Sequence, residues 1–294
     1  MILCCLRPAT VHLVRTLSKG KPVWGVTTLA DEIYLLRRKK RHQIEIYDVV
    51  TYSLQRRLTV PDAVSLTDVA SCEHFQCVYV ASDVRRCVHR VGLVGDFGQW
   101  DVQDRPVGLS VNAAHHLLVT CLRAGKIKEF TSAGHLLQEI ALPDGVVNPR
   151  HAIQTRDDEF AVCHGDLFEP VHGVCKVSAD GRRIGSVHTY GGVGDATQRV
   201  TTITAGRQIR LSDAGRYTCP FYLAPGAYGS MFLADFHNRR VALLSSNLSH
   251  VTDAVSRDQL SKWRPVRLHV QHGRLYVAAN NWMNTSGRVL VFRI

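Results

Sequence analysis

Pro265-Val266-Arg267-Leu268-His269, followed by Leu275-Tyr276-Val277-Ala278 and then by Val289-Leu290-Val291-Phe292, is the last of six copies of one pattern. The earlier copies open at Pro22-Val23-Trp24-Gly25-Val26, Ser65-Leu66-Thr67-Asp68-Val69, Pro106-Val107-Gly108-Leu109-Ser110, Pro149-Arg150-His151-Ala152-Ile153 and Pro220-Phe221-Tyr222-Leu223-Ala224. Their first residues lie 43, 41, 43, 71 and 45 positions apart. Short apolar runs and turn residues repeating at that period predict propeller blades.

Working outward from each opening, the order of runs is the same. Second runs are Ile33-Tyr34-Leu35-Leu36, Val78-Tyr79-Val80-Ala81, Leu117-Leu118-Val119-Thr120, Phe160-Ala161-Val162-Cys163, Met231-Phe232-Leu233-Ala234 and Leu275 to Ala278. They are too short for helices, rich in β-branched and aromatic residues, and bounded by polar turns, so they read as strands. Third runs begin at Ile44, Val88, Ile127, Val174, Val241 and Val289, and fourth strands follow around Leu58, Trp100, Ile140, Val187 and Val255. The sixth copy lacks a fourth run. Val11 to Leu17, ahead of the first copy, has the length and pattern to supply it by pairing with Val289 to Phe292, which removes two exposed sheet edges. The expectation is an all-β, six-bladed propeller over residues 1–294 as one domain, of four-stranded antiparallel blades. Blades start near residues 20, 65, 106, 149, 220 and 265. The interval from Pro149 is about 28 residues too long for one blade, and residues 191–219 carry the excess, as a functional loop, a short extra hairpin or an artefact of gene prediction.

Composition narrows the class. With 45% hydrophobic residues among 294, the chain can bury a large core. No apolar run approaches the roughly 20 residues of a membrane span, and Met1 to Leu6 is short for a signal peptide. Nine cysteines, an odd number and mostly within strand runs, suit a reducing compartment. The expectation is a cytoplasmic, monomeric domain with no membrane partner.

The segment Phe232-Leu233-Ala234-Asp235-Phe236-His237-Asn238-Arg239-Arg240-Val241-Ala242-Leu243-Leu244 closely resembles an NHL repeat. Weaker similarity runs through Arg274 to Asn280 and Gly287 to Phe292 and over essentially the whole chain. The pattern is similar to the propeller of tripartite-motif NHL proteins. That resemblance implies binding of single-stranded RNA or protein partners, and places this unit as the substrate-recognition part of a ubiquitin-ligase-type protein. RING, B-box and coiled-coil motifs are not visible in these residues, so ubiquitin transfer would belong elsewhere.

Strand direction puts the turns between second and third strands on the same face as the links between blades. Those turns carry Arg37, Arg38, Lys39, Lys40, Arg41, Arg85, Arg86, Arg123, Lys126, Arg239, Arg240 and Arg288, against Asp83, Asp166, Glu169 and Asp235. The opposite turns hold Asp31, Glu32, Asp48, Glu73, Asp96, Asp157, Asp158, Glu159 and Asp180. The net charge of +11 therefore concentrates on one end, which attracts polyanions. Trp24, Thr67, Gly108, His151, Tyr222 and Arg267, two residues after each opening, fall near the channel mouth. Trp24 and Tyr222 are read as stacking groups beside these cations, or alternatively as packing between blades.

Two other readings remain. One is a purely protein-binding module. The other is a metal-dependent propeller hydrolase or lyase, for which Asp68, His151 and His269, or His164, Asp166 and His172, have ligand chemistry. Their scattered heights and crowding in one turn argue against it. Gly-rich phosphate loops and nucleophile elbows are not found. The reading carried forward is a non-enzymatic scaffold with no cofactor, metal or small-molecule substrate.

Overall fold

The computed structural model describes residues 11–37, 43–156, 158–165, 171–190, 199–204, 207–210, 219–249 and 251–294. After β1 (His12–Gly20), blade one is β2–β5 (Val23–Leu29, Glu32–Arg37, Gln43–Asp48, Leu54–Thr59) and blade two β6–β9 (Leu66–Cys72, Cys77–Ser82, Cys87–Gly92, Phe97–Asp101). Blade three is β10–β13 (Pro106–Val111, Leu117–Cys121, Lys126–Phe130, Leu136–Ala141). Blade four is β14–β19 (His151–Arg156, Glu159–His164, Val171–Ser178, Arg183–Tyr190, Arg199–Thr204, Arg207–Arg210). Blade five is β20–β23 (Pro220–Pro225, Met231–Asp235, Arg240–Leu244, Val251–Val255). One helical turn, α1 (Arg257–Leu260), leads into blade six, β24–β26 (Arg264–Gln271, Arg274–Asn280, Gly287–Arg293).

Every blade is an antiparallel meander, and the inner strands β2, β6, β10, β14, β20 and β24 pack side by side until β24 returns to β2. The ring closes as the sequence predicts. β1 runs antiparallel to β26, with Leu17 opposite Val289, Thr16 opposite Leu290 and Leu13 opposite Phe292. The excess in the fourth repeat forms a hairpin, β18–β19, that extends blade four beyond its fourth strand β17 to a six-stranded sheet.

Burial explains why second strands read as continuous apolar runs. β7, β11 and β21 are buried at every residue, because each blade is covered on both faces by its neighbours, while the outer strand β5 is largely exposed. Six apolar clusters result among the described residues, one per junction between blades. Tyr34, Leu36 and Ile44 of blade one pack against Val69, Val78 and Val80 of blade two. At the closing junction Val26 and Ile33 meet Val266, Tyr276 and Val289. Truncating a fully buried leucine such as Leu35 or Leu233 would cost about 2–5 kcal/mol.

Candidate functional site

The inner strands begin with a shared irregularity. In blades one, two, three, five and six the ladder slips by one residue, stepping past Trp24, Thr67, Val107, Phe221 and Val266. In blade four, Arg150 N–H bonds the carbonyl of Cys163, the residue that His151 also faces. Such bulges re-aim side chains. Trp24, Thr67, Val107, Arg150 and Phe221 line a funnel of about 700 Å³, together with Arg37, Asp83, Arg105 and Arg267.

The next residue of each inner strand forms a layer below. Gly25 and Gly108 leave room there: a Cβ on Gly108 would lie 2.5 Å from the Arg150 carbonyl oxygen, and one on Gly25 2.6 Å from Val69 Cγ1. Asp68, His151, Tyr222 and Arg267 fill the layer. Arg267 donates from Nε to Asp68 Oδ1 at 3.0 Å and from its terminal nitrogens to the carbonyls of Val266 and Thr67 at 2.8 and 2.9 Å. Leu109 N–H donates to Asp68 Oδ2 at 2.8 Å. Tyr222 donates its hydroxyl to the Leu109 carbonyl at 3.2 Å and stacks on His151, with centroids 3.5 Å apart and planes 20° from parallel.

Leu223 N–H donates to His151 Nδ1 at 3.3 Å, so the ring proton sits on Nε2 and is given to the Leu109 carbonyl at 3.0 Å. Burial pushes the His151 pKa down to about 3. The same burial raises that of the Asp68 carboxyl, opposed by the Arg267 charge and the Leu109 N–H. This layer ties blades two to six together and floors the funnel. On its other side Thr28 Oγ1 meets His269 Nε2 at 2.8 Å and Thr27 Oγ1 meets Ser71 Oγ at 2.7 Å, beside a cavity of about 160 Å³.

The structure divides the cations expected to contact a ligand. Arg37 is buried, held by Glu45 Oε2 at 2.6 Å and by the Lys21 carbonyl. Arg240 is buried between Asp235 and Asp253, each at 2.8 Å. Arg267 belongs to the floor. These three charges are spent on internal carboxylates, and His151 and Tyr222 are buried against each other, so all five have an internal place rather than that of open contact groups. Lys126 pairs with Glu139 at 2.7 Å. Trp24 stands on the funnel wall, partly packed against the junction of blades one and two. Arg85, Arg86 and Arg123 are exposed and carry no ion pair among the described residues. Arg38, Lys39, Lys40 and Arg41 lie outside the described residues, as does Asp166.

Asp68, His151 and His269 do not converge on one point. Among the described residues no group of three or more His, Cys, Asp or Glu side chains is placed to hold a metal ion. The seven described cysteines are all buried. No helix among the described residues is long and apolar enough to cross a membrane.

Sequence reasoning missed part of this face. Arg105 sits on the funnel wall, 2.8 Å from Asp83. At the junction of blades five and six Trp282 and Met283 are 55% and 76% exposed, and the Arg264 guanidinium carbon lies 4.3 Å from the Trp282 ring centroid. Arg288 lies 3.9 Å from the ring of Trp263. The visible signal was Trp282-Met283, two large apolar residues inside a turn otherwise built of Asn, Thr, Ser and Gly.

Fold and face together define the class: the chain is a six-bladed β-propeller. No protein-family model matches it, and neither does any curated protein. Solved structures do resemble it. Hydrazine synthase from Kuenenia stuttgartiensis aligns with a TM-score of 0.65 at 15% identity, over 95% of this chain and 97% of that one. Virginiamycin B lyase from Staphylococcus aureus aligns at 0.63 and 10% identity, over 97% and 99%. The β-propeller domain of Cps50 (Swd1) from Myceliophteria thermophila aligns at 0.56 and 11% identity, over 97% and 99%. At such identities the likeness is one of fold alone.

Proposed function

We propose that this propeller is a non-enzymatic recognition scaffold that binds single-stranded RNA through the face carrying the funnel. The observation that carries the reading is the exposed trio Arg85, Arg86 and Arg123, which have no carboxylate partners among the described residues. They stand on turns of the funnel's face, Arg86 and Arg123 lining a hollow of about 400 Å³ that shares Asp83 and Arg105 with the funnel, in a chain of net charge +11. Guanidinium groups without partners on a concave face suit a flexible polyanion, whose phosphates they meet singly. The NHL-like order of the sequence supports the same reading, and extends it to the substrate-recognition part of a ubiquitin-ligase-type protein acting in a reducing compartment.

The test is binding of a labelled single-stranded RNA across a salt series. Affinity falls with a slope near −0.7 in log–log form per phosphate contact, and joint substitution of Arg85, Arg86 and Arg123 by glutamate weakens binding more than tenfold with a flatter slope. A folded parent protein without RNA affinity at low salt, or a triple variant that binds like the parent, overturns the RNA reading and leaves a protein-binding module.

A further inference from the structure

The arginines of this face fall into two groups. Arg37, Arg105, Arg240 and Arg267 are each ion-paired, whereas Arg85, Arg86 and Arg123 have no ion pair among the described residues. At the junction of blades five and six, Arg239, Arg257, Arg264 and Arg288 have no ion pair among the described residues, and Arg239 and Arg257 lie close enough to Arg264 to act on its charge. The contacts of Arg239, Arg264 and Arg288 are aromatic rings, the His237 imidazole and backbone oxygens. The Arg264 guanidinium lies over Trp282 and 5.4 Å from the Phe236 centroid, and donates to the carbonyls of Phe236 and His237 at 3.3 and 3.2 Å. Arg239 donates to the Ser261 carbonyl at 3.1 Å, Arg288 covers Trp263, and His237 meets Trp282 edge-on at 5.3 Å.

The Nε atoms of Arg264 and Arg288 find no acceptor among the described residues. Burial and the like charges of Arg239 and Arg257 lower the pKa of Arg264, and no carboxylate offsets them. Holding like charges together costs stability, which makes such a cluster a candidate functional site. Trp282, braced by the guanidinium of Arg264, still exposes more than half its surface.

We infer that this patch is a stacking subsite for one base of a single-stranded RNA, with Trp282 as the platform and Arg239, Arg264 and Arg288 facing the phosphates that flank it. The inference rests on the RNA reading above and draws on different residues. A ligand must bring negative charge to arginines without an ion pair and a planar group to an open indole. A nucleotide within a flexible strand brings both.

The experiment compares a labelled decauridylate with an abasic ribose-phosphate decamer, which carries the phosphates without bases. Trp282→Ala weakens decauridylate binding roughly tenfold, leaves the abasic decamer bound as by the parent, and does not change the salt slope. Trp282→Phe recovers most of the loss. Arg239→Gln and Arg288→Gln each reduce the slope for both decamers by about 0.7. Equal decauridylate affinity for parent and Trp282→Ala overturns the subsite and leaves the RNA reading standing. Equal loss for both decamers also overturns it, since the indole would then act on phosphates or on the fold. Absence of binding of either decamer to the parent overturns both.

Discussion

Arg267 of blade six and Asp68 of blade two meet in the layer beneath the funnel, Nε to Oδ1 at 3.0 Å, although 199 residues separate them in sequence. Blade one lies between these two blades in the ring, and Arg267 also donates to the Thr67 carbonyl of blade two. The pair therefore links blades two and six beneath the funnel, and its value to the fold depends on both charges being present.

Replacing Asp68 by alanine leaves the Arg267 guanidinium buried without its counter-charge and is expected to lower stability by about 3–5 kcal/mol. The double variant Asp68→Ala with Arg267→Leu removes both charges, so its loss should be well below the sum of the two single losses. Urea unfolding of the four proteins measures the coupling. Additive losses would show that the two residues do not act as a pair.

His151 gives stability a definite pH dependence. Its folded pKa of about 3 lies below the ordinary value of 6.5, so between these values the unfolded chain binds the proton and the folded chain does not. Stability from this residue is complete above pH 6.5 and falls as the pH drops towards 3, by about 1.4 kcal/mol per unit in the middle of that window. His151→Phe keeps a ring against Tyr222 and cannot titrate. Its stability should fall less steeply than the parent's between pH 6 and 4, by close to one proton in the slope of unfolding free energy against pH.

Removing residues 1–20 takes away β1 and bares the edge of β26, whose residues Val289 to Phe292 pair with Leu13 to Leu17. Because the ring is held by junctions on both sides of every blade, the loss should spread beyond blade six. Thermal unfolding is expected to shift sharply downward and to lose cooperativity. A truncated protein that melts like the parent would mean that β1 contributes nothing to closure.

Deleting residues 195–215 removes β18 and β19 but leaves β14 to β17 as a four-stranded blade. Loop length affects closure entropy only weakly, so unfolding should remain a single cooperative transition near the parent temperature. Circular dichroism during heating decides it, and a broad, lowered transition would make the hairpin part of the blade's stability.

The architecture was legible in the residues alone. Second strands such as Val78 to Ala81 and Leu275 to Ala278 are apolar throughout because blades stack on both of their faces, and that requirement recurs at a fixed spacing. Closure was legible for the same reason: a repeat that stops after three strands leaves an edge that only Val11 to Leu17 could cover. The hairpin in the fourth repeat was visible as excess length, not as strands, since its runs do not share the repeat's pattern.

The make-up of the face became readable only in the folded ring. A single-residue bulge separates Trp24 and Thr67, on the funnel wall, from Tyr222, His151 and Arg267, in the layer beneath, and the common repeat position had merged these two layers. A slip of one residue reverses the direction of a strand's side chains, and no composition or spacing records it. The fate of each arginine was equally hidden. Arg37 and Arg240 are neutralised by Glu45 and by Asp235 with Asp253, partners on adjoining strands, while Arg85, Arg86, Arg264 and Arg288 are not, because charge pairing depends on which side chains the folded ring brings within a few ångströms.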